Sequence, residues 1–303
     1  MDTAILQYRK IRELSNSSRA TFRSCPRKSQ LAKFSSGRGD STIHTVFGTA
    51  VGAGIQTWFG GEEYIPASEV IRTNLSRKEA AILAVFLAWN GIAVWDTDQK
   101  SNKSLGHAIF MVEKFIADCE SGELPFLGWK YVGAEVGFRL RLPGDFYYRG
   151  YIDLVLISPE GLPAVLEFKT TGKNFTDRAE WENAEQGTSY SLVIPAIVPG
   201  ATKYLMHYVI GLSKTFKWVD MPFIKTDQMK LDFVQDLLIE TKVIEFYEKS
   251  NRFPTNGNAC YSFMRQCPFF GICKLPTDRI VDLEAIKLDG DDDYEYEVDL
   301  SEL

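Results

Sequence analysis

The apolar residues of the chain recur at helical spacing in its first part and follow a strand-like pattern in its second part. Helical spacing is found over 47–59, 75–89 and 106–119. The first 40 residues predict a short helix, a Ser/Asn break at Ser15–Ser18, and a second segment ending at Cys25-Pro26. The pattern therefore predicts a mainly helical N-terminal part.

Beyond Tyr131 the pattern changes to short runs rich in β-branched and aromatic residues, at 133–142, 146–158 and 162–171. Turn residues separate these runs, which predicts an antiparallel meander. The following elements are a helix over 177–193 with Asp177 as its N-cap, strands over 202–212 and 216–225, and an amphipathic helix over 228–249. The sequence thus predicts an α/β fold, with a mixed β-sheet flanked by helices.

We divide the chain into four regions on this pattern. They are a helical N-terminal region (1–125), an α/β core (126–250), a turn-rich segment that contains three cysteines (251–280) and an acidic tail (281–303). No apolar run approaches the roughly 18 residues of a membrane span. The N-terminus lacks the apolar centre of a secretory signal. We therefore expect a cytoplasmic protein with no membrane partner.

The net charge of −6 is unevenly distributed. Residues 281–303 contain ten acidic residues and one basic residue, whereas the first 40 contain nine basic residues and three acidic ones. The basic arm could contact phosphates or simply form a solvated surface. The acidic tail is expected to be disordered; it could serve solubility or recruit a protein partner.

The candidate chemistry lies on two neighbouring predicted strands. Glu167 and Lys169 share one face of a strand, and Asp153 lies on the strand before it, where cross-strand neighbours approach to about 5 Å. Two converging carboxylates suit Mg²⁺ or Mn²⁺, and the carbonyl of Phe168 could add a ligand. Such an ion activates water for phosphodiester hydrolysis, while a nearby lysine stabilises developing charge. For the Glu-x-Lys tripeptide alone, a strand ion pair is the simpler interpretation.

These residues resemble the motifs of the PD-(D/E)XK nuclease superfamily. Gly150-Tyr-Ile-Asp153 and Glu167-Phe-Lys169 resemble its second and third motifs, and Gln186-Gly-Thr-Ser-Tyr190 resembles the QxxxY element of the RecB-like branch. The resemblance implies a restriction-endonuclease-like core. It also implies that Asp153 and Glu167 bind the metal, that Lys169 serves the nucleophile, and that Gln186 and Tyr190 position catalytic groups and DNA.

Further roles follow from the same resemblance. Glu135 resembles an acidic residue that such nucleases carry one strand earlier, as an additional metal ligand or its support. Many RecB-like members carry a metal-binding histidine on an N-terminal helix, where this chain has Gly52, and His44 lies two turns too early to replace it. This departure weighs against a second, histidine-bound metal. The residues expected to contact DNA are Thr170, Thr171, Lys173, Arg19, Arg23 and Arg27.

Four cysteines form a second candidate site. Cys260, Cys267 and Cys273 lie in one turn-rich segment, and zinc and iron–sulfur sites usually take four ligands. The pattern resembles the iron–sulfur RecB-like nucleases, in which one N-terminal cysteine, here Cys25, joins three C-terminal ones around a [4Fe–4S] cluster. Zinc and unliganded thiols are the alternatives, and Cys119 is expected to be a free thiol. The cluster would act as a clasp that holds the basic arm.

The function expected from these observations is that of a Mg²⁺- or Mn²⁺-dependent DNA exonuclease. Its substrate would be single-stranded DNA or duplex ends, in the repair or recombination of a bacterium or phage. An alternative is a catalytically weak or inactive DNA-binding recombination or CRISPR-related factor on the same fold, for which Gly52 is the best support. A third is a protein whose acidic tail engages another protein.

Overall fold

The computed structural model describes residues 11–33, 42–60, 75–89, 103–262, 265–275 and 296–301. The chain forms two compact units, which we call unit 1 (1–39, 137–150 and 231–303) and unit 2 (40–136 and 151–230). Most of the helix predicted before Ser15 and most of the acidic tail lie outside the described residues, and Glu13–Leu14 form a strand. The sequence-based division into four regions stays a prediction.

The helices of the described residues are α1 Asn16–Ser24, α2 Pro26–Ala32, α3 Ile43–Gly60, α4 Arg77–Ala88, α5 Leu105–Ser121, α6 Arg178–Glu182, α7 Glu185–Ile197 and α8 Asp227–Lys249. The three helices predicted from apolar spacing in the N-terminal part are confirmed as α3, α4 and α5. In the described ranges, no helix is both long enough and apolar enough to cross a membrane.

The predicted break at Ser15–Ser18 is wrong, because these residues begin helix α1. The Ser15 hydroxyl accepts the backbone N–H of Ser18, and the Ser18 hydroxyl accepts the backbone N–H of Ser15. This reciprocal arrangement is a capping box, which satisfies backbone donors that the first helical turn leaves unpaired. Ser15 and Ser18 thus mark the beginning of a helix and not an interruption.

The strands are β1 Glu13–Leu14, β2 Lys130–Leu142, β3 Phe146–Ile157, β4 Pro163–Thr171, β5 Leu205–Leu212, β6 Lys217–Phe223, β7 Tyr261–Ser262, β8 Arg265–Gln266 and β9 Tyr296–Asp299. Seven of them form one sheet in the order β6-β5-β4-β3-β2-β9, with β1 beside β3. β3 pairs antiparallel with β4, β4 parallel with β5, and β5 antiparallel with β6. The predicted α/β fold with a mixed sheet is confirmed.

The core of unit 2 is formed by α3, α4 and α5 together with strands of the sheet. Its fully buried side chains include Phe47, Phe115, Leu154 and Leu166. Helix α3 approaches its neighbours closely at Gly54, where a Cβ atom would come within 2.7 Å of the Val85 side chain. Ala164 and Leu166 at the start of β4 also belong to this core. A charged group farther along the strand therefore needs hydrogen bonds or an opposite charge beside it.

Part of the acidic tail is ordered in unit 1, contrary to the expectation of a disordered tail. Strand β9 pairs in parallel with β2, with Glu297 opposite Arg139 and Asp299 opposite Arg141. The Arg139 Nε donates to a Glu297 carboxylate oxygen at 2.7 Å. The charge excess predicted disorder, whereas the alternating apolar and acidic residues of this stretch give it a strand with paired charges.

Candidate active site

The β3–β4 pair brings the predicted catalytic residues together in unit 2. Leu154 lies opposite Leu166 in the antiparallel register, which places Asp153 beside Glu167. The backbone N–H of Phe168 donates to Asp153 Oδ2 at 2.9 Å. The hairpin therefore fixes the Asp153 carboxylate against the backbone of the strand that carries Glu167.

The Glu167 carboxylate is buried and takes a hydrogen bond from three side chains. Only 1% of the residue is exposed. The Lys169 ammonium and Gln186 Nε2 (2.8 Å) donate to Oε1, and the Tyr190 hydroxyl lies 2.8 Å from Oε2. Burying a carboxylate without partners costs several kcal/mol. These bonds offset that cost and fix the position of both oxygens.

Helix α7 supplies two of those donors from one face. Gln186 and Tyr190 lie one turn apart, and the Gln186 amide also donates to the Tyr190 hydroxyl at 2.6 Å. The start of the helix is held close to β5, because the Gly187 N–H donates to the Tyr208 hydroxyl at 3.1 Å. A Cβ atom at Gly187 would come within 2.7 Å of that hydroxyl, so a larger residue would push α7 away.

The site contains more carboxylate groups than ammonium groups, and this excess of negative charge shifts the pKa values of its residues. Burial, and next the charge of Glu167, raise the pKa of Asp153 well above its usual value, although Lys169 and the Phe168 N–H oppose this. Burial alone would lower the pKa of Lys169, but the charges of Glu167 and Asp153 outweigh it and raise that pKa. Burial and the charge of Glu167 likewise raise the pKa of Tyr190 well above its usual value.

A third carboxylate, that of Glu135, joins this group. The residue lies on β2 and is exposed as a whole, yet desolvation of its carboxyl group raises its pKa, against a hydrogen bond from Gln56. Its backbone adopts the left-handed conformation, with φ of 48°. For a non-glycine residue this conformation costs about 1 kcal/mol or more and is frequent at functional sites. The predicted role of Glu135 as a further ligand stays a prediction.

The donor chemistry of these carboxylates fits a hard divalent cation such as Mg²⁺ or Mn²⁺. Asp153, Glu167 and Glu135 offer oxygen atoms only, and their mutual repulsion would be relieved by added positive charge. Within the described residues, however, no three His, Cys, Asp or Glu side chains are arranged to hold a metal ion. A carbonyl ligand from Phe168 stays a prediction as well.

Gln56 on α3 is a site residue that the sequence interpretation missed. It is buried, and its Nε2 donates both to Glu135 Oε1 at 2.7 Å and to the carbonyl oxygen of Asp153 at 2.9 Å. The sequence signal was the four-residue spacing of Gly48, Gly52 and Gln56, which places them on one helix face. A Cβ atom at Gly52 would meet nothing within 4 Å, so the missing side chain there leaves open space.

Three of the residues predicted to contact DNA lie at the end of β4 and just beyond it. Thr170 and Thr171 are half-buried at its end, and the Thr171 hydroxyl accepts the backbone N–H of Lys173 at 3.2 Å. The Lys173 ammonium forms an ion pair with Glu180 at 2.9 Å. DNA contact by these residues stays a prediction.

The predicted DNA contacts of Arg19 and Arg27 are not supported by their placement in unit 1. Arg19 is 1% exposed, donates to Glu240 at 2.6 Å and lies over the ring of Phe233. Arg27 is 6% exposed. Arg23 is more exposed but also pairs with Glu240. Buried guanidinium groups with several protein acceptors stabilise the unit, and the charge count of the basic arm could not distinguish them from surface groups.

The guanidinium of Arg27 joins the N-terminal helices of unit 1 to the cysteine segment. It donates to the carbonyl oxygens of Cys273 at 3.2 Å and Leu275 at 2.6 Å. The Asn256 amide donates to the carbonyl oxygen of Ser24 at 2.8 Å. These bonds bring Cys25 next to a segment more than two hundred residues away in sequence.

The four cysteines of the predicted cluster line one cavity of about 210 Å³ in unit 1. Cys25 is buried, and the other three are half-buried. Burial, and next the negative charge of the other cysteines, raise the pKa of Cys273. The described residues show no metal-binding arrangement of these sulfurs, although sulfur donors in this number suit a cluster or zinc. Cys119 lies apart in unit 2, where burial raises its pKa to about 12.

Comparison with solved structures finds a protein of similar fold. No curated protein matches the chain. A candidate exonuclease from Eubacterium rectale has a similar structure, with a TM-score of 0.50, 12% identity, and coverage of 82% of this chain and 86% of that one. At this identity the similarity shows the fold alone. The protein SSO0001 matches at 11% identity over 69% of this chain and 79% of its own. Its TM-score of 0.26 is too low to indicate a shared fold.

The family comparison covers most of the chain. The model of the PD-(D/E)XK nuclease superfamily matches residues 13–274, which include every residue of the candidate active site and all four clustered cysteines. Within that range, Asp153 and Glu167 lie on neighbouring strands of the mixed sheet, and the Lys169 ammonium donates to Glu167. The chain therefore belongs to the PD-(D/E)XK nuclease superfamily.

Proposed function

We propose that the protein is a Mg²⁺- or Mn²⁺-dependent deoxyribonuclease, an exonuclease that acts on single strands or duplex ends in DNA repair or recombination. The observation that carries the proposal is the buried Glu167 carboxylate, which Lys169, Gln186 and Tyr190 orient beside Asp153. Nucleases of this superfamily generally use Mg²⁺ or Mn²⁺. The exonuclease assignment follows the description of a protein of similar fold as a candidate exonuclease, and the cleavage pattern described below tests it.

Each residue of the network has a role in this proposal. Asp153 and Glu167 would hold the ion, with Glu135 as a further ligand. When bound, a divalent ion lowers the pKa of its water and withdraws charge from the phosphoryl group. The Lys169 side chain is 39% exposed, so its ammonium can orient the attacking water or balance charge that develops on the phosphate. Gln186 and Tyr190 keep the Glu167 oxygens in place.

The cysteine cavity is assigned a structural [4Fe–4S] cluster in the same proposal. The support is that all four cysteines line one cavity although Cys25 lies far from the others in sequence. Metal binding by residues so distant in the chain stabilises the folded state, because the unfolded chain lacks the site. An absorption spectrum of anaerobically purified protein tests this assignment. Absorption near 400 nm that Cys267→Ser removes supports it, whereas a colourless protein that contains zinc contradicts it.

The nuclease proposal is tested by the cleavage of end-labelled single-stranded and duplex DNA in the presence of Mn²⁺. We expect cleavage by the wild-type protein and by Lys217→Ala, a control that removes an exposed lysine at the start of β6. Asp153→Ala and Lys169→Ala should each lose at least about 100-fold in rate. Progressive shortening from one end would identify an exonuclease, and internal cuts in circular DNA would contradict that assignment.

A second candidate function is DNA binding without cleavage. The observation in its favour is Gly52, which leaves open space on the helix face that carries Gln56. The cleavage experiment above distinguishes the two functions. Negligible cleavage by the wild-type protein and both variants, together with DNA binding by all three, would favour the binding function.

A further inference from the structure

Tyr151 is a partly exposed aromatic residue immediately beside the candidate metal ligands. It lies on β3 two residues before Asp153, and side chains two apart on a strand point to the same face. Their Cα atoms are about 7 Å apart by strand geometry. The residue is 40% exposed, whereas Ile152 between them is fully buried. Tyr151 is thus a solvent-accessible aromatic residue on the face of β3 that carries Asp153.

The backbone of Tyr151 is tied to the catalytic network. The Tyr190 hydroxyl lies 2.9 Å from the carbonyl oxygen of Tyr151 and 2.8 Å from Glu167 Oε2. Its single proton serves one of these two acceptors at a time, so the hydroxyl links the Glu167 carboxylate to the strand position that carries Tyr151. Because that backbone position is fixed, only the side-chain torsions of Tyr151 need to be ordered when a flat ligand packs against the ring.

We propose that Tyr151 stacks on an unpaired nucleobase next to the phosphate that is cleaved. The inference rests on the proposed nuclease function and defines its substrate as a DNA strand whose bases at the cleavage position are unpaired. A base offers its face to a side chain only where stacking in the duplex is interrupted. Stacking on an aromatic side chain tolerates any base and contributes roughly 5- to 150-fold in affinity.

The experiment combines Tyr151 variants with oligonucleotides that lack one base. Single-stranded DNAs with an abasic site at each of the first few positions are compared with the intact DNA. Affinity is measured by fluorescence anisotropy, and kcat and KM by cleavage in Mn²⁺. The proteins are wild type, Tyr151→Ala, Tyr151→Phe and the control Phe246→Ala, which removes an exposed aromatic ring on α8 in unit 1.

We expect wild type to lose about tenfold in affinity for one abasic position, mainly as an increase in KM. Tyr151→Ala should lose about as much on intact DNA and nothing further at that position. Tyr151→Phe and Phe246→Ala should resemble wild type, because the first keeps the ring and the second lies elsewhere. The preference for single-stranded over blunt duplex DNA should fall in Tyr151→Ala alone.

Two outcomes would overturn the inference. One is an abasic effect that is the same size in wild type and Tyr151→Ala, which would show that no base contacts the ring. The other is an equal loss in Tyr151→Phe and Tyr151→Ala, which would assign the effect to the hydroxyl. If wild type binds but does not cleave, the nuclease proposal fails, while the binding comparison still decides the role of Tyr151.

Discussion

The candidate active site and the cysteine cavity are built in opposite ways. Around Glu167, three donors from β4 and α7 satisfy a buried carboxylate, and all of them lie within 25 residues of one another. Around Cys25, four thiols meet from distant parts of the chain, and the bonds that gather them come from Arg27 and Asn256. The first site is organised by its own hydrogen bonds, whereas the second depends on its surroundings.

This difference teaches where each site is sensitive to mutation. In the candidate active site, the carboxylate groups repel one another and are held by hydrogen bonds within the site. Substitutions there should therefore affect activity more than folding. A site gathered by outside contacts should respond first in stability and cofactor retention. Four substitutions test this distinction, in order of the expected effect.

Asp153→Asn should give the largest effect and a split between rate and stability. We expect a loss of at least about 100-fold in kcat. The free energy of unfolding should rise, because burial and Glu167 disfavour the Asp153 charge. The amide oxygen can still accept the Phe168 N–H. Unfolding in denaturant with EDTA present measures the second effect.

The same variant predicts a difference in pH dependence. A carboxyl group whose pKa is raised in the folded state binds more protons there than in the unfolded chain. Wild type should therefore lose stability as the pH rises from about 4 through the raised pKa, and Asp153→Asn should lose less over that interval. Parallel stability curves for the two proteins would contradict the assigned charge repulsion.

Arg27→Met should give the largest effect on the cysteine cavity. Its loss leaves the carbonyl oxygens of Cys273 and Leu275 without this donor, at a cost of about 2–3 kcal/mol in the free energy of unfolding. Absorption from a bound cluster should fall with it, while kcat per folded molecule stays within about twofold of wild type. Arg23→Met is the control, since this more exposed side chain pairs with Glu240.

Gln56→Leu should lower kcat by about 10- to 100-fold, because groups that orient metal ligands typically contribute this much. The substitution keeps the volume of the buried side chain but removes the donor to Glu135 and to the Asp153 carbonyl. Titration of Mn²⁺ by electron paramagnetic resonance should show weaker binding. Unchanged Mn²⁺ affinity and unchanged kcat would show that Gln56 contributes to packing but does not orient the metal ligands.

Gly52→His should give the smallest effect, a gain of a few-fold in Mn²⁺ affinity. The open space at Gly52 accepts a side chain, and imidazole binds divalent metals such as Mn²⁺. Gly52→Ala is the matched control, because replacing the glycine by alanine stabilises helix α3 by about 0.5–1 kcal/mol without adding an imidazole. A gain in Mn²⁺ affinity that Gly52→Ala shares would show that the imidazole contributes nothing.

The fold and the placement of the three candidate catalytic residues could be predicted from the sequence because their signals are local. The runs of β-branched and aromatic residues in β3 and β4 placed Asp153, Glu167 and Lys169 on neighbouring strands, and the antiparallel pairing of β3 with β4 is confirmed. Helices α3 to α5 were visible from apolar spacing. These patterns reflect which face of an element is buried, and that is decided within a few residues.

What the sequence could not predict depended on partners far along the chain. Arg19 and Arg27 were predicted to belong to a basic DNA-binding arm. Composition does not reveal that Arg19 donates to Glu240 and Arg27 to the carbonyl oxygen of Cys273. Gln56 was missed because its partners lie about 80 and 100 residues away. Long-range polar pairs carry no periodicity, so they appear only in the structure.

Strand β9 has a practical consequence for the behaviour of shortened proteins. It pairs along one side of β2, where its acidic residues meet Arg139 and Arg141. A chain that ends before residue 296 would leave the N–H and C=O groups of this part of β2 available to a strand from another molecule. Pairing with β9 would thus protect this part of β2 from association with another molecule.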